Sequence, residues 1–267
     1  MTATSPISLQ AFPFRPDLCP TTRHTSGPYE LAWAFSDNEL HALQRLRYDV
    51  FNIELNEGLE TSHASRRDED AFDPWCHHLY IRHVPSGEMV GTYRMQTAEM
   101  AQAAIGWYSE AEFDLSSVPT AILSGSVETG RACIHRGHRS LKVLYLLWKG
   151  LGLYLSHTRS RYLFGCCSLT SQSDEEGQAV YAYLRDQGHL HPSVHVRPLP
   201  SHACRPVQVP PDMDGRPPRL MRAYLGFGAR ICGPPAIDRE FKTIDYLALF
   251  DADTLRASEL AFFTIGS

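Results

Sequence analysis

No stretch of this sequence is apolar for long enough to cross a bilayer. The longest run, Val143 to Leu155, is broken by Lys149 and falls short of the roughly 20 residues that a spanning helix needs. A positive surplus is lacking too. The net charge of −5 and the pI near 6.2 exclude a general nucleic-acid binder, which carries a strongly basic face. There is no GxxxxGK[ST] loop, no GxSxG elbow and no glycine-rich dinucleotide turn, so nucleotide hydrolysis and serine-hydrolase chemistry fall away. The seven cysteines form no CxxC pair, and the thirteen histidines form no HExxH or Cys/His ligand spacing. Free, buried thiols and no bound metal are therefore expected. His77 and His78 alternate faces of a strand and cannot share one ion. Residues 1–28 are rich in Thr, Ser and Pro without the apolar centre of a signal peptide, and read as a flexible or loosely docked arm. A cytoplasmic protein is the expectation, with peripheral contact at the inner face of a membrane left open.

What is present suits one large domain over residues 29–267. An apolar fraction of 43% with 21% charged residues is ordinary globular composition. Tyr29 to Phe35 reads as a strand, and Ser36 or Asp37 caps a helix through Asn52. Residues 78–82 and 89–95 read as a hairpin across Pro85-Ser-Gly. A short helix over 99–115, carrying Trp107, Tyr108 and Phe113, leads to a central strand over 121–134. A long helix over 140–157, a strand over 162–168 and a helix over 175–187 follow. Residues 189–217, rich in Pro and His, read as an inserted loop. A helix over 220–227 and strands near 229–232 and 243–250 complete the chain. The fold class is α/β, a mixed central sheet flanked by helices.

The most informative stretch is Ser126 to Tyr154, a strand, a short basic turn and an apolar helix. Such a junction offers backbone N–H groups and a positive dipole end to a phosphate. From Arg131 to Arg161 there are seven Lys and Arg and no Asp or Glu, against an acidic background. Arg136, Arg139, Lys142 and Lys149 are the candidates for holding a phosphopantetheine or coenzyme A arm and for recruiting an acidic partner. Elsewhere, charges stand on otherwise apolar elements: Arg47, Arg94, Glu128 and Arg131, with Asp70 and Asp73 in Glu-Asp-Ala-Phe-Asp. Charges inside strands are costly unless paired or set in a cleft.

At these residues the chain resembles the acyl-homoserine-lactone synthase branch of the GNAT acyltransferases. The matching pairs are Arg47/Phe51, Asp70/Asp73, Gly91/Arg94 and Glu128/Arg131; Glu57 stands where that branch would carry a Trp. It is more similar to the L-ornithine Nα-acyltransferases, over most of residues 38–255. That likeness rests on Glu-x-Gly-Arg-x-Cys (Glu128 to Cys133), Leu-x-x-Leu-Trp-x-Gly (Leu144 to Gly150) and Phe-Gly-Cys-x-Ser near Cys166. Tyr-Leu-x-x-Gly-Ala (Tyr224 to Ala229), Pro-Ala-x-Asp (Pro235 to Asp238) and Phe-x-Thr-x-Asp (Phe241 to Asp245) extend it. The basic turn has only one glycine, Gly137, so the usual glycine-rich pyrophosphate loop is altered.

The resemblance implies a GNAT-like domain that moves a (3-hydroxy)fatty acyl group from acyl-carrier protein to the α-amine of L-ornithine, giving lyso-ornithine lipid. No cofactor is resident; the acyl-carrier-protein thioester is a substrate, and carrier protein and ornithine are the partners. Glu128 is the candidate general base. Arg47 or Arg94 suits the ornithine carboxylate, Asp70 or Asp73 its ammonium, and Phe51 and Arg131 complete the substrate-binding set. Equally, Glu128 could pair with an arginine to hold the sheet, and Arg47, Asp70, Asp73 and Arg94 could be a scaffold. Phe51, Trp107, Tyr108, Phe113 and Trp148 are available for an acyl tunnel or for plain core. Alternatives are another acceptor such as glycine, a homoserine-lactone synthase, or a non-catalytic acyl- or carrier-binding module.

Overall fold

The computed structural model describes residues 12–210 and 212–255. Its strands are β1 (His24–Ser26), β2 (Tyr29–Trp33), β3 (His77–His83), β4 (Met89–Thr97), β5 (Phe113–Asp114) and β6 (Ser126–Ile134). They continue with β7 (Tyr162–Leu169), β8 (Arg197–Pro198), β9 (Arg230–Ile231), β10 (Ala236–Asp238) and β11 (Thr243–Asp251). The helices are α1 (Asp37–Tyr48), α2 (Ser62–Ser65), α3 (Ala98–Ala103), α4 (Thr120–Ser124), α5 (Leu141–Thr158), α6 (Asp174–Asp186) and α7 (Arg219–Gly226). The main sheet runs β1-β2-β3-β4-β6-β7-β11-β10, with β9 also on β11, and β5 pairs with β8 separately. All its pairings are antiparallel except β6 with β7. This is the mixed sheet with flanking helices that the sequence pattern predicts.

Alternation along the strands sorts side chains onto two faces. Tyr93, Met95, Val127 and Leu163 pack under the apolar stripe of α5, with Leu147, Trp148, Leu151 and Tyr154. Gly150 is needed there, because a Cβ would meet Leu79 Cδ2 at 2.5 Å. Further along, Cys167, Ile244, Tyr246 and Ala248 pack on the same side against α6 and α7. On the opposite face Phe164, Leu247 and Leu249 bury against Trp107, Phe113, Val194 and Val196. Val194 and Val196, from the segment 189–217, close this second core.

Three expectations need correction. Residues 12–28 are not a flexible arm: Phe14 and Cys19 are buried, and the Phe14 carbonyl lies 2.6 Å from His77 Nε2. Residues 1–11 lie outside the described set. The predicted helix over 99–115 stops at Ala103, because Gly106 turns the chain at φ +83° and Glu110 then caps the Trp107 N–H. The predicted start of the central strand is instead α4, which Gly125 separates from β6. His77 and His78 do face opposite ways, His77 Nδ1 towards Tyr154 and His78 Nε2 towards the Asp73 carbonyl. All seven cysteines are free, and only Cys166 is less than buried.

Candidate active site

Strands β6 and β7 pair only over Ser126–Glu128 with Tyr162–Phe164. Beyond that point they part. Gly165 sits at the fork, where a Cβ would stand 2.1 Å from the Thr129 carbonyl oxygen, so only glycine fits. On the other side of β6, Arg131 and Ala132 together oppose Tyr93: Thr92 pairs with Cys133 and Arg94 with Gly130. That bulge holds Arg131 at φ +50° and turns its side chain away from plain alternation.

The fork opens into a cavity of about 330 Å³. Its lining divides by sheet face. Towards α5 and α7 it is apolar, with Trp148, Leu151, Leu163, Met221, Phe227 and Phe250. Here the Tyr93 and Tyr224 hydroxyls pair with each other. Towards the opposite face it is polar, with Arg94, Glu128, Arg131, Glu57, Asp238 and Asp245. Phe51 reaches this half from a wide π-type turn over Asp49–Glu54 that prolongs α1 and packs edge-on against Phe241.

The Arg and Asp residues expected to bind substrate largely bind each other. Arg47 Nε lies 2.8 Å from Asp68 Oδ2, and its Nη2 2.6 Å from Asp73 Oδ2. Arg94 Nη1 reaches Asp70 at 2.5 Å and Asp73 at 2.9 Å. Arg131 joins Asp68 at 3.2 Å and Asp70 at 2.9 Å, and donates to the Tyr108 hydroxyl at 3.1 Å. Three guanidinium groups thus balance three carboxylates. Burial alone would raise the Asp73 carboxyl, but Arg47 and Arg94 overcome it and hold the group well below its usual range. Asp70 is lowered in the same way, burial being outweighed by Arg94 and Arg131. Arg47 and Asp73 are sealed from solvent, and neither they nor Asp70 line the cavity. Arg47, Asp70 and Asp73 thus stand behind the cavity wall, paired within the cluster, while Arg94, Arg131 and Phe51 line it.

Glu128 reaches the cavity wall but has its lone pairs filled. It accepts from Gln96 Nε2 at 2.6 Å, Tyr108 N at 2.8 Å, Ser109 N at 2.7 Å and Ser109 Oγ at 2.6 Å. A carboxylate has about four acceptor sites, so none is left for a substrate proton. Glu128, the expected general base, ties the 108–109 turn to β6 through these bonds.

A second acidic group fills the polar half. Asp245 accepts from Ser168 Oγ at 2.5 Å and Thr243 Oγ1 at 2.9 Å. Glu57 accepts from Thr170 Oγ1. One ligand oxygen each of Glu112, Asp238 and Asp245 lie within 4.8 Å of one another. Among the described residues none of these four carboxyls forms an ion pair with Lys or Arg. Burial pushes the Glu57 carboxyl up to about 7. Burial first, then the neighbouring carboxylates, raises Glu112, and burial outweighs two hydroxyl donors in raising Asp245.

Residues 46–149 match the Acetyltransferase (GNAT) domain family. The L-ornithine N(alpha)-acyltransferase of Rhodobacter capsulatus is 31% identical over 250 residues, which cover 88% of this chain and 95% of that protein. The chain belongs to the L-ornithine Nα-acyltransferase family. The Brucella abortus protein of the same name is 29% identical over 255 residues, 89% of each. Among solved structures, FeeM, an N-acyl amino acid synthase from uncultured soil microbes, shares the fold at a TM-score of 0.51 and 12% identity, covering 88% of this chain and 98% of that one. An acyltransferase is what the fold and the family support.

Within this acyltransferase the basic residues split into two groups. Arg136 is exposed in the turn between β6 and α5. Arg139 is bound to Glu54, at 2.5 and 2.8 Å. Lys142 lies beside Gly27 and the half-buried Lys149 lies near His24, so both follow α5 along the edge taken by β1. Of the proposed tunnel aromatics, Phe51, Tyr108 and Trp148 line the cavity, whereas Trp107 and Phe113 belong to the core. Sequence reasoning missed Asp68, Glu57, Glu112, Asp238 and Asp245 as site residues. Asp245 carried a signal, a lone charge inside Thr243–Phe250; Glu112 carried none. No helix among the described residues is long and apolar enough to cross a membrane.

Proposed function

We propose that this protein is an N-acyltransferase that moves a fatty acyl group from acyl-carrier protein to the α-amine of L-ornithine. The observation that carries this reading is the two-faced cavity at the β6–β7 fork. Its apolar half suits an acyl chain and its acid-rich half suits an amine-bearing acceptor. The thioester carbonyl would lie at the fork, where the free edge of β6 beyond Glu128 offers backbone N–H groups to a developing oxyanion. The α-nitrogen attacks the carbonyl carbon, the C–N bond forms, the C–S bond breaks, and amide and thiol leave.

The attacking nitrogen must be neutral, and a free α-amino group is mostly protonated at neutral pH. Glu57 takes the place first given to Glu128. It lines the cavity and its carboxyl is poised near neutral pH, where a base works best. The departing thiolate can take the proton, since thiols are comparatively acidic. Arg94, which unlike Arg47 reaches the cavity, is the group for the ornithine carboxylate. Arg136 with Lys142 would steer an acidic carrier.

Mass spectrometry of the products tests this. The protein is incubated with 3-hydroxyacyl carrier protein and ornithine, glycine or S-adenosylmethionine, separately and mixed. An ornithine amide is expected. A lactone or a glycine amide as the main product would contradict the acceptor, and thioester left intact with every acceptor would contradict the transferase reading.

A further inference from the structure

An excess of carboxyls behind a cavity is costly. Each is desolvated, and together they repel. Glu112 is 3% exposed, and its Oε2 has no hydrogen-bond partner. Its other oxygen meets only the Cys166 thiol, at 4.0 Å. The remaining polar groups it faces are the carboxyls of Asp238 and Asp245, and with its own carboxyl raised Glu112 shares its proton with Asp245. Asp238 and Asp245 are aimed by neutral donors. Asp238 Oδ1 takes the Glu240 and Phe241 N–H groups, each at 2.8 Å, and Asp245 takes its two hydroxyls. Arg131 lends some positive field to Glu112 and Asp245, but it is bound to Asp68 and Asp70. The buried Glu112 carboxyl and its preset acidic neighbours describe a receptor for a cation that no described residue supplies.

We infer that Glu112, Asp238 and Asp245 form the pocket for the side-chain ammonium of the acceptor, which makes the enzyme selective for a diamino acid over neutral amino acids. The inference rests on transfer to an amino acid as proposed above. Asp238 and Asp245 line the cavity, and a Glu112 oxygen lies within 4.8 Å of theirs. An ammonium has three donors, one for each acid, and its entry displaces the proton that burial and the neighbouring acids keep on Glu112. Glu57, apart from this trio, is left for the α-amine. A neutral side chain entering the same place would leave the acids unpaired, which penalises it more than a missing contact would.

The test compares ornithine with norvaline, its analogue lacking only the δ-amine. In the unaltered protein kcat/KM for ornithine should exceed that for norvaline by on the order of 10²-fold or more. In Glu112→Gln and Asp238→Asn this ratio should fall towards one, chiefly through a higher KM for ornithine. A merely structural role would lower both substrates and leave the ratio standing, and that result would overturn the assignment. Equal use of ornithine and norvaline by the unaltered protein would overturn it too, without any variant, while leaving transfer to amino acids intact. Calorimetry with ornithine and norvaline reads the pocket without turnover, so it separates this inference from the transferase reading. Calcium or zinc titrated alone provides the other arm. Metal binding that Glu112→Gln abolishes and ornithine does not displace would make the cluster a metal site instead.

Discussion

The polar face of the sheet carries two charged clusters built from nearly the same chemistry. In one, Arg47, Arg94 and Arg131 interlock with Asp68, Asp70 and Asp73, three charges of each sign. In the other, Glu57, Glu112, Asp238 and Asp245 gather with hydroxyl and backbone donors but no ion-pair partner among the described residues. Balance separates them. Opposed charges lower the buried Asp73 and Asp70 carboxyls, whereas burial and like charge raise Glu57, Glu112 and Asp245. The balanced network holds strands and loops in place and shows the cavity only Arg94 and Arg131; the unbalanced one keeps its capacity for a cation. Carboxyls raised beside a cavity are what the proposed base and ammonium pocket require.

The largest effect should come from breaking the balanced cluster. Arg47→Ala leaves buried carboxylates uncompensated and should cost about 3–5 kcal/mol of stability, read as a lower denaturant midpoint. If stability held while only turnover fell, Arg47 would belong with the substrate and the contrast would collapse.

Next comes Glu57→Gln, which removes the proposed base. A fall in kcat of about 10²-fold or more is expected, with stability kept. The unaltered enzyme should gain activity as pH rises through about 7, and the variant should lose that step. The stability signs oppose one another across the two clusters. Glu57, raised in the folded state, contributes stability below its unfolded value that is lost as pH climbs through about 7. Asp73, lowered in the folded state, contributes stability above its unfolded value that is lost as pH falls below the usual carboxylate range. Melting temperatures across pH for the unaltered protein and Glu57→Gln would separate these limbs. The variant should lose the step near 7 and keep the decline that Glu112 causes at higher pH; a step near 7 that survives in the variant would remove Glu57 from the account.

The smallest effect belongs to the surface. Arg136→Ala with Lys142→Ala should raise KM for carrier protein about 10-fold at low salt and less at physiological salt, because exposed charges are screened. A change independent of salt would speak against steering.

Legibility in the sequence followed the range of the physics. The hairpin β3–β4 and helix α5 showed because alternation and helical spacing are local. The balanced cluster was visible as charges on apolar elements, and the scaffold reading stood beside the substrate reading, since pairing is invisible without distances. Asp68 was missed because it sits among other charges in a polar loop. The unbalanced cluster was hidden for another reason: Glu57, Glu112, Asp238 and Asp245 come from four separate segments that only the fold brings together. Glu128 looked like a base because a carboxylate on a central strand asks for a purpose. Its partners, Gln96 and the Tyr108–Ser109 turn, lie 19 to 32 residues away in the chain.

The most direct test of the contrast sets one acid from each cluster side by side. Asp73→Asn and Asp245→Asn are compared for melting temperature and for kcat/KM with ornithine. Asp73→Asn should melt several degrees lower, by roughly 4 °C or more. Asp245→Asn should melt no lower than the unaltered protein while losing ornithine turnover by on the order of 10²-fold. Stability lost at Asp245 with activity intact, and the reverse at Asp73, would contradict the account.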